Sequence, residues 1–197
     1  MTTHDYGIEY SISFKRVDHD DSQILEGFEC ENSTIRDFAR YKSAKSKKDV
    51  TYIFIDNENN TVIGFCSICC TGISVTKDDE YKPYNSSYSA MRIDFFAIDE
   101  RYRRIPLDKS SGKYDTLSKA LFLYMIEHIR KIAKEQVGAT HICLYSVQLA
   151  KNFYKRCDFV EFLDYMNRDE EPHIQNCIPM FYLIWDRKRA DGFIGSF

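Results

Sequence analysis

The chain reads as an α/β protein built around a mixed sheet, and three features carry that reading. Two β-rich runs, "VTYIFID" and "TVIGFCSICC", flank Asn57-Glu58-Asn59-Asn60, which is turn chemistry between paired strands. Leu117, Leu121, Met125, Ile129 and Ile132 recur at helical spacing, and Phe122, Ile126 and Ala133 widen the stripe enough to cover a sheet. Strand and helix patterns interleave along the chain in the order β-α-α-β-β-β-α-β-α-β-β, which is α/β character with a mixed sheet.

The elements follow in turn. Ile8, Tyr10, Ile12 and Phe14 alternate through "IEYSISF", the mark of a half-buried strand. "DDSQILEGFECENSTIRDFARYKSAK" reads as one or two helices, the second capped by Asn32 or Ser33 and buried through Ile35, Phe38 and Ala39. After the hairpin, "KDDEYKPYNSSY" reads as a polar loop and "AMRIDFFAID" as a fourth strand. The long helix stops at Gly138. "THICLYSV" is a fifth strand, "QLAKNFYKRC" a short helix, and "FVEFLDYM" and "CIPMFYLIW" the last strands around an acidic loop, "RDEEPHIQN". There is no internal repeat and no linker, so one domain is expected over 1–197, with its core at about 8–185 and a tail at 186–197.

With 197 residues the chain can bury a core without disulfides or metals. A net charge of −3 argues against a general nucleic-acid coat protein while leaving room for a local basic patch. Seven cysteines are scattered over strands and helices; Cys66 and Cys69 lie three apart on a strand pattern and so point to opposite faces. Buried thiols are the expected role, and no metal is expected. No apolar run approaches the ~20 residues of a membrane span, and the first residues hold no apolar signal segment, so no membrane partner and a cytoplasmic location are expected.

One stretch carries chemistry of its own. Arg101 to Lys113 holds five basic residues and one acid, Asp108, then opens the long helix through Lys113-Tyr114-Asp115-Thr116-Leu117-Ser118. The first amides of a helix lack internal partners and carry partial positive charge, so a basic loop feeding a helix is anion-binding architecture. Asp115 or Thr116 would also serve as an ordinary N-cap. No Walker motif and no dinucleotide fingerprint is present.

"LYSVQLAKNFYKRCDFVEF" then resembles the signature of the GNAT acyltransferase superfamily, A-x-x-x-Y-x-x-x-G-F after a strand: Ala150, Tyr154 and Phe159 match, and Asp158 stands where the family has glycine. In this register the basic stretch falls on the family's acyl-CoA pyrophosphate loop, with Lys113 at the basic or amide position and Thr116 and Ser118 in place of two glycines. "DFFAID", "FECENSTIRDFARYKSAK" and "TYIFIDNENNTVIGFCSI" resemble the corresponding strand, helices and hairpin of the toxin-like GNAT members. The similarity runs over roughly residues 8 to 185. It implies a GNAT-like, mostly antiparallel twisted sheet of about six to seven strands flanked by helices.

It also implies an acetyl-CoA-dependent N-acetyltransferase acting on a primary amine. The resemblance assigns the pantetheine arm and thioester to main-chain groups of Phe96, Ala97 and Ile98. It assigns the pyrophosphate to Arg103, Arg104, Lys113, Tyr114, Asp115, Thr116, Leu117 and Ser118, with Phe153 beside the cofactor. Tyr154 matches the family's general acid, and Asp94 is a candidate base. The acceptor is a small amine, a peptide or an aminoacyl-tRNA; "RYKSAKSKK" is a basic face suited to RNA phosphate. A homodimer is compatible with the sequence. The alternative is a catalytically silent GNAT-fold protein that binds a partner or senses a ligand, favoured by the lost glycines and by Asp115.

Overall fold

The computed structural model describes residues 11–77, 84–106, 116–162, 174 and 176–185. Its elements are β1 (Ile12–Arg16), α1 (Ser22–Glu26), α2 (Ser33–Asp37), β2 (Val50–Asp56), β3 (Thr61–Lys77), β4 (Tyr84–Ile98), α3 (Leu117–Ile132), β5 (His141–Ser146), α4 (Lys151–Lys155), β6 (Val160–Glu161) and β7 (Ile178–Leu183), the order expected. The strands form a seven-stranded sheet in the order β1-β2-β3-β4-β5-β7-β6. The pairing of β4 with β5 is parallel, while β1–β2, β2–β3, β5–β7 and β6–β7 are antiparallel. No helix among the described residues is long and apolar enough to cross a membrane.

The chain divides into two compact units. The first gathers the residues up to Cys69 with Asp94–Met125. On one face of its strands, Leu25, Phe28, Phe38 and Ala39 from the helical segment bury Ile53 and Phe65. On the other face, Phe14 and Phe54 meet Tyr124 of α3, with ring centroids 5.1 and 5.9 Å apart. Successive residues of a strand point to opposite faces, which is why Ile53 and Phe54 serve different layers. Asn32 caps α2, its side chain accepting from the Ile35 amide at 3.2 Å. The β2–β3 turn is organised by Asp56: Oδ1 accepts from the amides of Glu58 and Asn59, and Oδ2 accepts from Asn59 Nδ2 at 2.7 Å and from Tyr102 OH at 2.8 Å. Burial alone would raise the Asp56 carboxyl, but these donors outweigh it and hold it below the usual carboxylate range. Asn60 closes the turn at φ 50°, a left-handed value that Asn tolerates.

The second unit comprises Cys70–Ile93 and the residues from Ile126 onward. Ile73, Ala90, Cys143, Phe162 and Phe181 form its core. Gly138 stops the helical segment in the left-handed region, φ 72°, with its amide donating to Ala133 O at 2.7 Å. The "NSSY" stretch expected in a loop belongs to β4, because β3 and β4 run on well past the apolar residues. Backbone pairing with a neighbouring strand supplies what the polar side chains do not. Ile8 and Tyr10, the acidic "RDEEPH" stretch and the 186–197 tail fall outside the described residues.

Asp158 stands at φ 65° just after α4. A left-handed residue costs an L-amino acid about 1–2 kcal/mol, least for Asp and Asn and nothing for Gly. Asp158→Gly is therefore expected to hold or raise stability within about 0.5 kcal/mol, and Asp158→Val to lower it by about 2 kcal/mol. Urea unfolding of both variants checks this; equal losses from the two would show that the side chain matters there rather than the backbone.

Candidate active site

The β4 segment Asp94–Ile98 is set apart from the rest of its strand. The parallel ladder between β4 and β5 runs from Ala90↔His141 to Ile93↔Leu144 and ends there, although β4 continues to Ile98 and β5 to Ser146. Residues 94–97 are all half-buried, without the strict alternation a regular strand shows. Phe95 packs on Phe38 (centroids 4.5 Å apart) and Phe96 on Phe122 (4.8 Å). Gly64 of β3 lets this segment come close: a Cβ there would lie 2.5 Å from Ile98 Cδ1 and 2.8 Å from Ala97 O. Phe96, Ala97 and Ile98 thus form a rigidly backed strand segment.

A buried carboxylate fixes the exit from this segment. The Asp99 side chain is 0% exposed. It accepts from Glu29 N at 2.9 Å, Arg101 N at 3.0 Å, Arg101 Nε at 2.7 Å and Arg101 Nη2 at 2.9 Å. Burial pushes against the charge, and Arg101 with the two amides overcomes it, leaving Asp99 below the usual carboxylate range. Arg101 is therefore an anchor for Asp99. Arg103 pairs with Glu31 at 2.8 Å on the surface, and Arg104 is exposed nearby, adding positive potential around Glu31.

The front of α3 is also engaged internally. Thr116 is its N-cap, with Oγ1 accepting from Lys119 N at 3.3 Å. The Leu117 amide donates to Ile105 O at 2.9 Å, and Ser118 Oγ donates to Arg103 O at 3.1 Å. A bridge between Pro106 and Thr116 closes the base of the loop. Lys113, Tyr114 and Asp115 lie outside the described residues. Of the expected phosphate-binding groups, the Leu117 amide and the Ser118 hydroxyl thus have partners within the loop, and the Arg103 guanidinium has one in Glu31.

Tyr154 sits on α4, half-buried, with Phe153 and Phe159 at ring distances of 5.2 and 6.1 Å. Its carbonyl accepts from Cys157 N at 2.9 Å and Phe159 N at 3.1 Å, which ends the helix and brings in Asp158. Phe153 is half-buried beside it. His141 and His128 are held below the usual histidine range by burial, His141 at about 4, so each is neutral near pH 7.

Asp94 has company that the sequence did not announce. Asp49, Cys69 and Asp94 each place one side-chain atom within 4.8 Å of the others. Cys69 Sγ donates to Asp94 Oδ2 at 3.5 Å, and Ser46 Oγ donates to Asp49 Oδ2 at 3.0 Å. Asp49 is the residue sequence reasoning missed. Near the turn, pairs run Asp56↔Thr61 and Ile55↔Val62, a register that would set Asp49 opposite Ile68. A bulge between Phe54 and Ile55 shifts the pairing to Val50↔Ile68, and so carries Asp49 to the level of Cys69. The hairpin was visible; the one-residue shift was not. Cys66, which points away from Cys69 on a strand, is fully buried, and its thiol is pushed up by that burial.

No protein-family model and no curated protein matches the chain. Solved structures do. A bacterial toxin aligns at TM-score 0.66 and 19% identity over 93% of this chain and 96% of its own. A tyrosine-to-phenylalanine mutant of the toxin AtaT, bound to the C-terminus of the antitoxin AtaR and to acetyl-CoA, aligns at TM-score 0.59 and 13% identity over 90% and 96%. AtaT complexed with acetyl-methionyl-tRNAfMet aligns at TM-score 0.62 and 15% identity over 94% and 99%. The chain shares the fold of these toxins, a mixed, mostly antiparallel sheet flanked by helices as the resemblance implied.

The close approach at Gly64 gives a direct test. A methyl group 2.8 Å from a backbone oxygen can be relieved only by moving β4, because a strand carbonyl has no rotamer to change. Gly64→Ala is expected to cost about 2 kcal/mol in denaturant unfolding. A stability equal to that of the unaltered chain would show that β4 yields freely and that the segment is not rigidly backed.

Proposed function

We propose that the chain is an acetyl-CoA-dependent N-acetyltransferase that moves an acetyl group to a primary amine. The observation that carries this reading is the β4 segment Phe96–Ile98, closely backed at Gly64, in the fold of toxins of which a solved complex holds acetyl-CoA. Pantetheine carries amides, and these pair with strand main chain as a peptide does. In this reading the main chain of Phe96, Ala97 and Ile98 holds that arm. One N–H of the segment meets the thioester oxygen as it gains charge.

The pyrophosphate falls to Arg103, Arg104 and the Lys113–Ser118 stretch, with Thr116 and Leu117 at the helix front. Arg103 would exchange Glu31, an exposed partner, for phosphate; exposed ion pairs are weak enough to allow it. Phe153 packs beside the cofactor. Tyr154 donates a proton to the departing thiolate, a sensible direction for a phenol of pKa ~10 beside a thiol of ~8.5. Asp94 is the base.

Among acceptors, aminoacyl-tRNA is favoured. Lys42, Lys45, Lys47 and Lys48 are exposed in one short basic stretch that leads into Asp49, so a polyanion bearing a terminal amine finds cations and carboxylates in sequence. The silent-protein alternative draws on the internal engagement of the Leu117 amide and Ser118 hydroxyl.

Calorimetry with acetyl-CoA separates the two readings: binding is expected, and an absence of heat at millimolar ligand would favour the silent protein. Tyr154→Phe is expected to slow turnover at least tenfold while leaving acetyl-CoA affinity within about twofold. Equal losses in both would make Tyr154 a packing residue.

A further inference from the structure

We propose that Asp49 and Asp94 hold one proton between them and act as a unit, with Asp49 as the positioning partner through which Asp94 takes the proton of the incoming ammonium. The role in transfer rests on the acetyltransferase reading; the shared proton does not.

The geometry demands some neutralising device. Two carboxylates reach within 4.8 Å of each other and of the Cys69 thiol. Asp49 Oδ1 is shut off from solvent and meets no hydrogen-bond donor among the described residues. A buried acceptor without a donor is costly, and two close carboxylates cannot both ionise freely. A proton on one oxygen supplies the missing donor and removes the like-charge contact together. The surrounding groups leave this role open. On the Asp49 side, Ser46 donates to Oδ2, and the Lys48 charge favours ionisation. From β3, the Cys69 thiol donates to Asp94, and the fully buried Cys66 thiol stays protonated. On β4, Arg92 lies two positions before Asp94. Burial first, then the facing Asp94 carboxylate, push the Asp49 carboxyl up to about 6.

The chemistry balances with this pair as acceptor. Above about pH 6 the pair has released its shared proton to solvent, and the substrate ammonium restores it, leaving a neutral amine and a singly protonated pair. The amine nitrogen bonds to the thioester carbon and the C–S bond breaks. One of the two N–H protons leaves to solvent and the other stays on the amide; the thiolate takes a proton from Tyr154, which solvent restores, and the pair later returns its own to solvent. Asp94 lies two residues before Phe96 on the strand segment that, in the proposed reading, holds the thioester.

The sign of the pH effect follows from the raised value. A carboxyl raised in the folded state contributes stability that is present below its unfolded value and is lost as pH rises through the folded one. Without any ligand, this pair is expected to lower the melting temperature as pH rises from about 4 to 6, with Asp49→Asn and Asp94→Asn each flattening that fall. The infrared band of a protonated carboxyl should persist at about pH 6 in the unaltered chain and vanish in both variants. Flat melts and no such band in the unaltered chain would overturn proton sharing. So would a melting temperature raised by equimolar zinc in the unaltered chain alone, which would make a cation the neutralising group.

For the role in transfer, methionyl-tRNA and methionine methyl ester serve as acceptors. Asp49→Asn is expected to lower kcat/KM about tenfold or more at pH 6.5 and to move the acidic limb of the pH–rate profile, with acetyl-CoA binding unchanged. A profile that keeps its shape would overturn the role while leaving the shared proton standing. An unaltered chain that titrates as expected yet acetylates neither acceptor would sink the proposed function and the transfer role together.

Discussion

A carboxylate with no access to water must find every donor within the protein, and Asp99 is in that position. Its donors come from two places, the Glu29 amide after α1 and the Arg101 backbone and side chain in the turn that follows β4. Its own amide donates to Ile63 O, and the next amide, Glu100, donates to Glu29 O. The end of β4 is thereby tied to β3 and to the segment between α1 and α2. Removing one partner from such a network leaves the others unsatisfied, so the whole joint is held or lost together. The Phe96–Ile98 segment lies immediately upstream, and this joint adds to the packing of Phe96 and Ile98 in holding the segment against Gly64.

That arrangement changes the meaning of the basic run. Read along the sequence, Arg101, Arg103 and Arg104 form a single positive patch. In the fold, Arg101 neutralises the buried Asp99 two positions before it, and Arg103 pairs with Glu31, more than seventy positions away. Charge in a sequence is local, whereas its partner is set by topology. The acids Asp99 and Glu31 look like ordinary strand-end and helix-start residues until the strands are paired.

Much of the fold was legible because its signals are local. Asn32 before an apolar run, Gly138 after one, and the Asn57–Asn60 turn each mark a boundary by the conformation that residue type permits. The polar "NSSY" strand had no such signal, since cross-strand backbone pairing makes it a strand. The candidate site divided the same way. Tyr154 and the Phe96–Ile98 segment follow from a motif and its register. Asp49 follows only from a bulge that shifts one pairing register by a single residue, and the strand carries no sequence mark for it.

The replaced glycines show why a departure from a motif must be judged by backbone conformation. At Asp158 the left-handed value is real, so the family's glycine there serves the turn, and Asp is a residue able to stand in for it. At Thr116 and Ser118 no such demand exists: among the described residues, Asn60 and Asp158 are the non-glycine positions with positive φ, and Thr116 and Ser118 sit at the cap and first turn of α3. Side chains cost no strain at those two positions. They bring hydroxyl groups that bond to Arg103 O and Lys119 N and tighten the helix front. What the missing glycines remove is only room beside the backbone. The objection they raise to a bound diphosphate is therefore one of space, which the movement of two small side chains can answer, and not one of forbidden conformation.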